Sequence, residues 1–197
     1  MSSRPSPLPN RVTPFGGIEA SPARGDWLGN RGGKIHRDWR IVRRQGSARW
    51  IICRLSFKGR RRAVMGAGYT ELFFLDEATA LAAGHRPCFE CRREAANAFA
   101  AAWAGARGLA RPAKADEMDA VLRRERAAPG PLIEPAALAP GAMVAAGSAA
   151  YLFDGEGFHR WRHQGYAPGA PDGALRLLTP ASTLAALHAG YRSGIRI

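Results

Sequence analysis

Apolar and polar residues alternate along the first half of the chain in a way that predicts strands. The stretch RIVRRQGSARWIICRLSF alternates basic and apolar residues around a Gly-Ser pair. A period of two is typical of half-buried strands, so residues 39–44 and 48–57 are predicted to form a hairpin. The aromatic and β-branched stretch YTELFFL, residues 69–75, predicts a third strand.

Helical signals follow the third predicted strand. Asp76 is a good N-cap, and Gly84 is a typical residue just past a helix end, so a short helix is predicted between them. A second helix is predicted over residues 92–103, because Phe99 and Trp103 are four residues apart and share one face. The sequence ADEMDAVLRRERA predicts a third, amphipathic helix.

These patterns predict an α+β fold in two parts. We expect a small antiparallel sheet with two helices around a Cys-x-x-Cys turn, followed by a smaller β-rich unit that ends in a helix. The predicted divisions are a Pro/Ser/Gly-rich disordered tail over 1–25, a first module over 26–105, an Ala/Pro-rich linker with one helix over 106–140, and the β-rich unit over 141–197.

Charge changes this picture, because nearly the whole net charge of the chain lies in one segment. The formal net charge is +13, and thirteen of the 29 Lys and Arg residues lie between Arg24 and Arg62, against two carboxylates. Such an excess indicates an anionic partner, nucleic acid first, with DNA favoured over RNA. A merely solvated basic face and an acidic protein partner are the alternatives. The predicted contact residues are Arg31, Lys34, Arg43, Arg44, Arg49, Arg54, Lys58, Arg60, Arg61 and Arg62.

Cysteine usage indicates the compartment. Three cysteines are too few, and an odd number, for the disulfide framework of a small secreted domain. The N-terminal sequence has no apolar core of a secretory signal, and no apolar run approaches the roughly 18 to 20 residues that span a bilayer. We therefore expect a cytoplasmic protein with no membrane association, in an oligomeric state that the sequence leaves open.

The spacing of Cys88 and Cys91 indicates a metal site. Thiolates at i and i+3 of a tight turn converge on one ion, and a structural zinc site needs about four ligands. Cys53, on the predicted hairpin, is the natural third ligand. His36 is the first choice for the fourth and His85 the second; the histidines of HRWRH are more remote.

A family resemblance supports this hypothesis. The stretch ELFFLDEATALAAGHRPCFECRREAANAF resembles the N-terminal zinc module of the Ada DNA alkylation-repair protein, and CRLSF at 53–57 is similar to an upstream element of that module. The resemblance, over about residues 50–100, implies zinc bound by cysteines. The family has a fourth cysteine where this chain has Phe57, so either His36 replaces it and gives a Cys₃His site, or the metal site is weakened or lost.

The resemblance also implies an activity as an alternative. In the Ada module one zinc-bound cysteine accepts a methyl group from DNA, and Cys53 is the matching position. A metal-dependent nuclease is a further alternative, although the sequence offers few acids for it. We assign no catalytic residue on the leading hypothesis, in which zinc is structural. Trp161, between two arginines, is the aromatic residue proposed to stack on a base.

Overall fold

The computed structural model describes residues 3–60 and 63–197 of the chain, and within them the fold is α+β, as predicted. The helices are α1 Glu77–Ala82, α2 Arg93–Gly105, α3 Ala115–Glu125 and α4 Ala181–His188, with a short 3₁₀ helix at Pro135–Ala137. The strands are β1 Pro9–Val12, β2 Ile18–Ala20, β3 Trp27–Asn30, β4 His36–Arg37, β5 Arg40–Ile41, β6 Ile51–Cys53, β7 Leu72–Phe74, β8 Arg86–Pro87, β9 Met143–Ala146, β10 Ala149–Phe153, β11 Phe158–Arg162, β12 Gly165–Pro168 and β13 Arg176–Leu177.

A six-stranded sheet in the order β2-β1-β7-β3-β6-β8 carries the first half of the described chain. It is mixed rather than antiparallel, because β1 pairs with β7 and β6 pairs with β8 in parallel. The pairing of β6 with β8 matters for function, since it joins the strand that ends at Cys53 to the residues just before Cys88.

The predicted hairpin over residues 39–44 and 48–57 does not form. Strand β5 pairs with β4 in a separate two-stranded sheet, whereas β6 pairs with β3. The Gly-Ser pair explains the difference, because the backbone N–H groups of Gly46 and Ser47 both donate to the carbonyl of Arg31, at 2.7 and 3.2 Å. The turn therefore packs against the end of β3 instead of folding β6 back onto β5.

The N-terminal residues differ from the predicted disordered tail. Strands β1 and β2 lie within residues 1–25 and pair with each other in antiparallel register. Val12, in β1, is 1% exposed and belongs to the main hydrophobic core. Pro9 is the first residue of β1, Gly16 and Gly17 precede β2, and the pairing of β1 with β7 holds this segment on the sheet.

The second half is a five-stranded antiparallel sheet in the order β12-β11-β10-β9-β13, and its buried side chains belong to two clusters that both include residues of the first half. One cluster of buried apolar side chains runs from Val12 through Phe99 on α2 and Leu122 on α3 to Leu187 on α4. The segment predicted to be a linker, 106–140, contributes α3 to this cluster. Because one core includes both sheets, the described residues form a single packed unit rather than a module, a linker and a second unit.

No helix among the described residues is both long and apolar enough to span a bilayer.

Candidate metal centre

The end of α1 directs the chain toward the cysteines. Gly84, with φ of +81°, donates its N–H to Leu81 at 2.9 Å, and His85 donates its N–H to Ala80 at 3.0 Å. This is the Schellman pattern of helix termination, and the left-handed conformation at its centre favours glycine. A Cβ at Gly84 would also lie 2.7 Å from the Arg126 side chain, so both backbone conformation and packing favour glycine here.

Strand β8 then places Cys88 beside Cys53. Ile51 and Ile52 of β6 pair with Arg86 and Pro87, and the N–H of Cys88 donates to the carbonyl of Ile52 at 3.0 Å. The N–H of Arg92 donates to the carbonyl of Cys88 at 2.9 Å, which closes a turn that leads into α2. Two strands and one turn thus position the three thiols.

The sulfur atoms of Cys53, Cys88 and Cys91 all lie within 4.8 Å of one another, and we call them the three-cysteine group. Sulfurs around a tetrahedral zinc with Zn–S bonds of about 2.3 Å are about 3.8 Å apart, so this spacing suits one bound ion. No disulfide joins any of them. All three are buried but retain 7 to 9% exposure, so the group lies just beneath the surface.

Hydrogen bonds in the group favour negative charge on the sulfur of Cys88. The Cys53 thiol donates to Cys88, which lowers the pKa of Cys88 and raises that of Cys53. The N–H of Glu90 also points at the sulfur of Cys88, at 3.4 Å. For Cys91, burial raises the pKa, while the backbone N–H of Arg54 acts in the opposite direction. Backbone N–H donors around thiols are the environment that stabilises thiolate ligands.

Phe57 packs against the three-cysteine group together with Ile51 and Phe73. The cationic ends of Lys58 and Arg60 lie 5.2 and 5.6 Å from the centre of its ring. Phe57 therefore covers the group with an apolar ring and holds two cations close to it.

The structure does not bring His36 into the three-cysteine group. Its Nδ1 lies 2.6 Å from Oγ1 of Thr70, and its ring is buried. His85 is also elsewhere, packed against the rings of Trp50 and Phe74 at 4.9 and 4.7 Å. Within residues 3–60 and 63–197, no fourth His, Cys, Asp or Glu joins the three cysteines. The sequence could not exclude the histidines, because their positions depend on Thr70 and on core packing.

The predicted nucleic-acid contacts separate into two sets. Arg31 is 1% exposed and donates to Gly16 and His85 inside the protein, so the prediction that it contacts a ligand at the surface is corrected. Its guanidinium carbon lies 3.8 Å from the centre of the Trp50 ring, which explains how the charge is buried. The predicted residues that are exposed are Lys34, Arg43, Arg44, Arg49, Arg54, Lys58 and Arg60. Arg61 and Arg62 lie outside the described residues.

Some of the exposed cations already have internal partners. Arg60 forms an ion pair with Glu90 at 2.5 Å, and Arg44 donates to the carbonyl of Arg126 at 3.1 Å. No such pairing is found for Arg54 or Lys58 within the described part of the chain, apart from the ring contact of Lys58. These two residues flank the three-cysteine group in sequence and are the most available to an anion.

Trp161 has an internal role that sequence did not indicate. Its indole N–H donates to Oγ1 of Thr79 at 3.0 Å, so it joins β11 to α1 rather than standing free as a base-stacking platform. On the same sheet, His159 contacts Asp154 at 2.7 Å. The three-cysteine group is the only group of three or more His, Cys, Asp or Glu side chains found in the described residues that could hold a metal ion, so no gathering of acids for a metal-dependent nuclease is seen there.

The fold and the site thus define an α+β protein with a buried three-cysteine group that can hold a metal ion. No protein-family model, curated protein or solved structure matches the chain.

Proposed function

We propose that the three-cysteine group binds one zinc ion. The observation that carries this proposal is the convergence of three thiols from two separate segments, with backbone N–H groups directed at their sulfurs. Thiolate ligands favour zinc among the abundant divalent cations. Three protein sulfurs leave one tetrahedral position, which we assign to water or another exogenous ligand, because Thr70 holds His36 away from the group.

Zinc at this position has a structural role in the proposal. It joins β6 to the turn before α2, segments that otherwise meet through the short pairing of β6 with β8. Structural zinc contributes roughly 10 kcal/mol or more to the folding of small zinc peptides. Purified protein is expected to carry one zinc equivalent by elemental analysis. A fully folded wild-type protein that takes up no zinc would overturn this part of the proposal.

We further propose that the protein binds nucleic acid, DNA in preference to RNA, through phosphate contacts on the surface beside the zinc centre. Arg54 directly follows Cys53, Lys58 directly follows Phe57, and both side chains are exposed. Contacts from Lys and Arg to phosphates set position and affinity without reading the bases. The resemblance to a DNA-repair zinc module agrees with this choice of partner.

The test measures affinity for labelled duplex DNA and duplex RNA over a series of salt concentrations. Each phosphate contact adds about 0.9 to the slope of log affinity against log salt on B-form DNA. The double variant Arg54→Gln/Lys58→Gln is expected to lower this slope. Arg162→Gln, which removes an exposed arginine on β11 of the second sheet, is the control and is expected to leave it unchanged. Affinity that is insensitive to salt, or equal loss in both variants, contradicts the proposal.

A further inference from the structure

Three arginines gather around one buried tryptophan, away from the cysteines. The guanidinium carbons of Arg31, Arg126 and Arg44 lie 3.8, 4.3 and 5.8 Å from the centre of the Trp50 ring. We call these residues the arginine cluster. They come from the end of β3, the loop before β6 and the residue after α3, so the tertiary fold assembles the cluster from three separate places.

The arginine cluster is only partly balanced by negative charge: the charges of Asp119 and Glu125 raise the pKa of Arg126, but neither forms an ion pair with it. The hydrogen bonds of the cluster go to neutral acceptors, namely the ring nitrogen of His85 and the carbonyls of Gly16, Arg126, Gly84 and Ala48. None of the ion pairs found in residues 3–60 and 63–197 includes any of the three. Arg31, the buried member of the cluster, would normally have a partner of opposite sign, because burial of a charge without one is costly.

The pKa values of two arginines in the cluster are lowered. Burial, with repulsion from Arg44 and Arg126, lowers the pKa of Arg31 to about 9. Burial also lowers the pKa of Arg126 to about 10. In addition, the buried indole N–H of Trp50 has no acceptor within the described part of the chain. The cluster therefore has an excess of both positive charge and hydrogen-bond donors.

A cavity of about 630 Å³ opens beside the cluster and is lined by Arg44, Arg126 and Gly16. A third arginine, Arg176, lines it too. Its one carboxylate, Glu125, is occupied by the N–H and hydroxyl of Ser182 at 3.0 and 2.5 Å. Glu125 keeps its negative charge, and the three arginines against this one carboxylate give the lining a net positive charge.

Most of the remaining cavity wall is apolar. Phe15 and Leu132, which are 48% and 63% exposed and are among the most exposed large apolar side chains, both line this cavity. A volume of this size suits a small organic ligand, since such sites commonly measure about 300–1,000 Å³. The lining thus combines donors for an anion with a surface for an apolar body.

We propose that this cavity binds a phosphate ester, with the phosphate on Arg44 and Arg126 and the organic part against Phe15 and Leu132. Arginine suits phosphate because its planar group of donors matches the phosphate oxygens. Arg31 contributes charge from the core and positions Gly16, without touching the ligand. The site goes beyond the zinc centre and the surface at Arg54 and Lys58, and it needs neither of them.

The test is calorimetric titration of the full-length protein with phenyl phosphate, inorganic phosphate and phenol. Phenyl phosphate is expected to bind more tightly than inorganic phosphate, and phenol more weakly than either. Arg44→Gln is expected to weaken phenyl phosphate about tenfold, the loss of one hydrogen bond to a charged group. Phe15→Ser is expected to weaken phenyl phosphate but not inorganic phosphate. Arg162→Gln is the control for a general loss of charge.

Absence of phosphate binding by the wild-type protein overturns the proposal, as does equal weakening by Arg44→Gln and Arg162→Gln. A short single-stranded DNA oligonucleotide distinguishes the source of the phosphate. If the oligonucleotide displaces phenyl phosphate, the site belongs to a nucleic-acid strand. If the oligonucleotide does not displace it, the site belongs to a free phosphate ester.

The same titrations separate this proposal from the nucleic-acid interface. Phenyl phosphate binding without any DNA binding supports the cavity and overturns the interface. DNA binding that depends on Arg54 and Lys58, with no phosphate bound in the cavity, supports the interface and overturns the cavity proposal.

Discussion

Arg86, two residues before Cys88, forms a buried bidentate ion pair with Asp119 on α3. Its Nε and one terminal nitrogen donate to the two carboxylate oxygens at 2.8 and 2.7 Å, and both side chains are about 95% buried. The pair joins β8, which leads to the turn carrying Cys88 and Cys91, to α3, a helix in the segment that the sequence predicted to be a linker. Positioning of the three-cysteine group therefore depends on α3.

Asp119→Asn is expected to destabilise the protein strongly, because it leaves the Arg86 guanidinium buried without a charge partner. Removing one partner of a buried pair typically costs about 3–5 kcal/mol of unfolding free energy. Glu117→Gln, on the same helix, breaks the exposed pair with Arg111 and is expected to have little effect. Urea unfolding measures the loss of unfolding free energy in each variant. Similar losses would show that the buried pair contributes no more to stability than the exposed one.

Local signals in the sequence predicted the elements around the cysteines. Asp76 caps α1 by accepting the N–H of Thr79 at 2.8 Å, and Gly84 follows its end, as their residue types indicate. The proximity of Cys53 to Cys88 was also predicted, because Cys-x-x-Cys spacing limits the number of useful partners in a chain with three cysteines.

Long-range packing accounts for what sequence did not predict. Arg31 was expected at the surface because arginine usually is, but stacking on Trp50 and bonds to Gly16 and His85 bury it. The close contact of Ser47 with Gly32, where a Cβ would lie 1.8 Å from the serine hydroxyl, likewise depends on two segments fifteen residues apart. Periodicity describes one element at a time and carries no information on such contacts.

The zinc content of variants tests whether the cysteines bind the metal and whether His36, the first predicted fourth ligand, does not. Cys88→Ser and Cys53→Ser are each expected to lose bound zinc, because two sulfurs hold the ion weakly. His36→Ala is expected to retain it, because His36 contacts Thr70 and not the three-cysteine group. Elemental analysis of purified variants measures the zinc per chain. Loss of zinc from His36→Ala, with the fold intact by circular dichroism, would place that histidine among the ligands.

Trp161 is expected to support the packing of the second sheet against α1 and not nucleic-acid binding. Trp161→Phe removes its hydrogen bond to Thr79 and part of its packing, at a cost of about 1–2 kcal/mol. Arg160→Gln changes the exposed neighbour and is the control for stability. Urea unfolding and DNA affinity are measured on both. Weaker DNA binding by Trp161→Phe at unchanged stability would instead support base stacking.

The protein is expected to become less stable as the pH is lowered, because His85 is protonated in the unfolded chain but not in the folded protein. Burial, together with the nearby charges of Arg31 and Arg126, holds the pKa of His85 well below its usual value, so the folded protein keeps this ring neutral. The unfolded chain protonates it near pH 6.5. Below that pH the unfolded state binds more protons, so the unfolding free energy decreases by up to about 1.4 kcal/mol for each pH unit.

His85→Gln is expected to remove this contribution, so its unfolding free energy should change less between pH 7.5 and pH 5 than that of the wild type. Thiol protonation and loss of metal affect both proteins alike, and the difference between the two slopes therefore isolates His85. His188→Gln, at an exposed histidine that contacts the Ala137 carbonyl, is the control and is expected to keep the wild-type slope. Equal slopes for His85→Gln and the wild type would mean that the buried ring accepts a proton in the folded protein, with the arginine cluster rearranged to accommodate it.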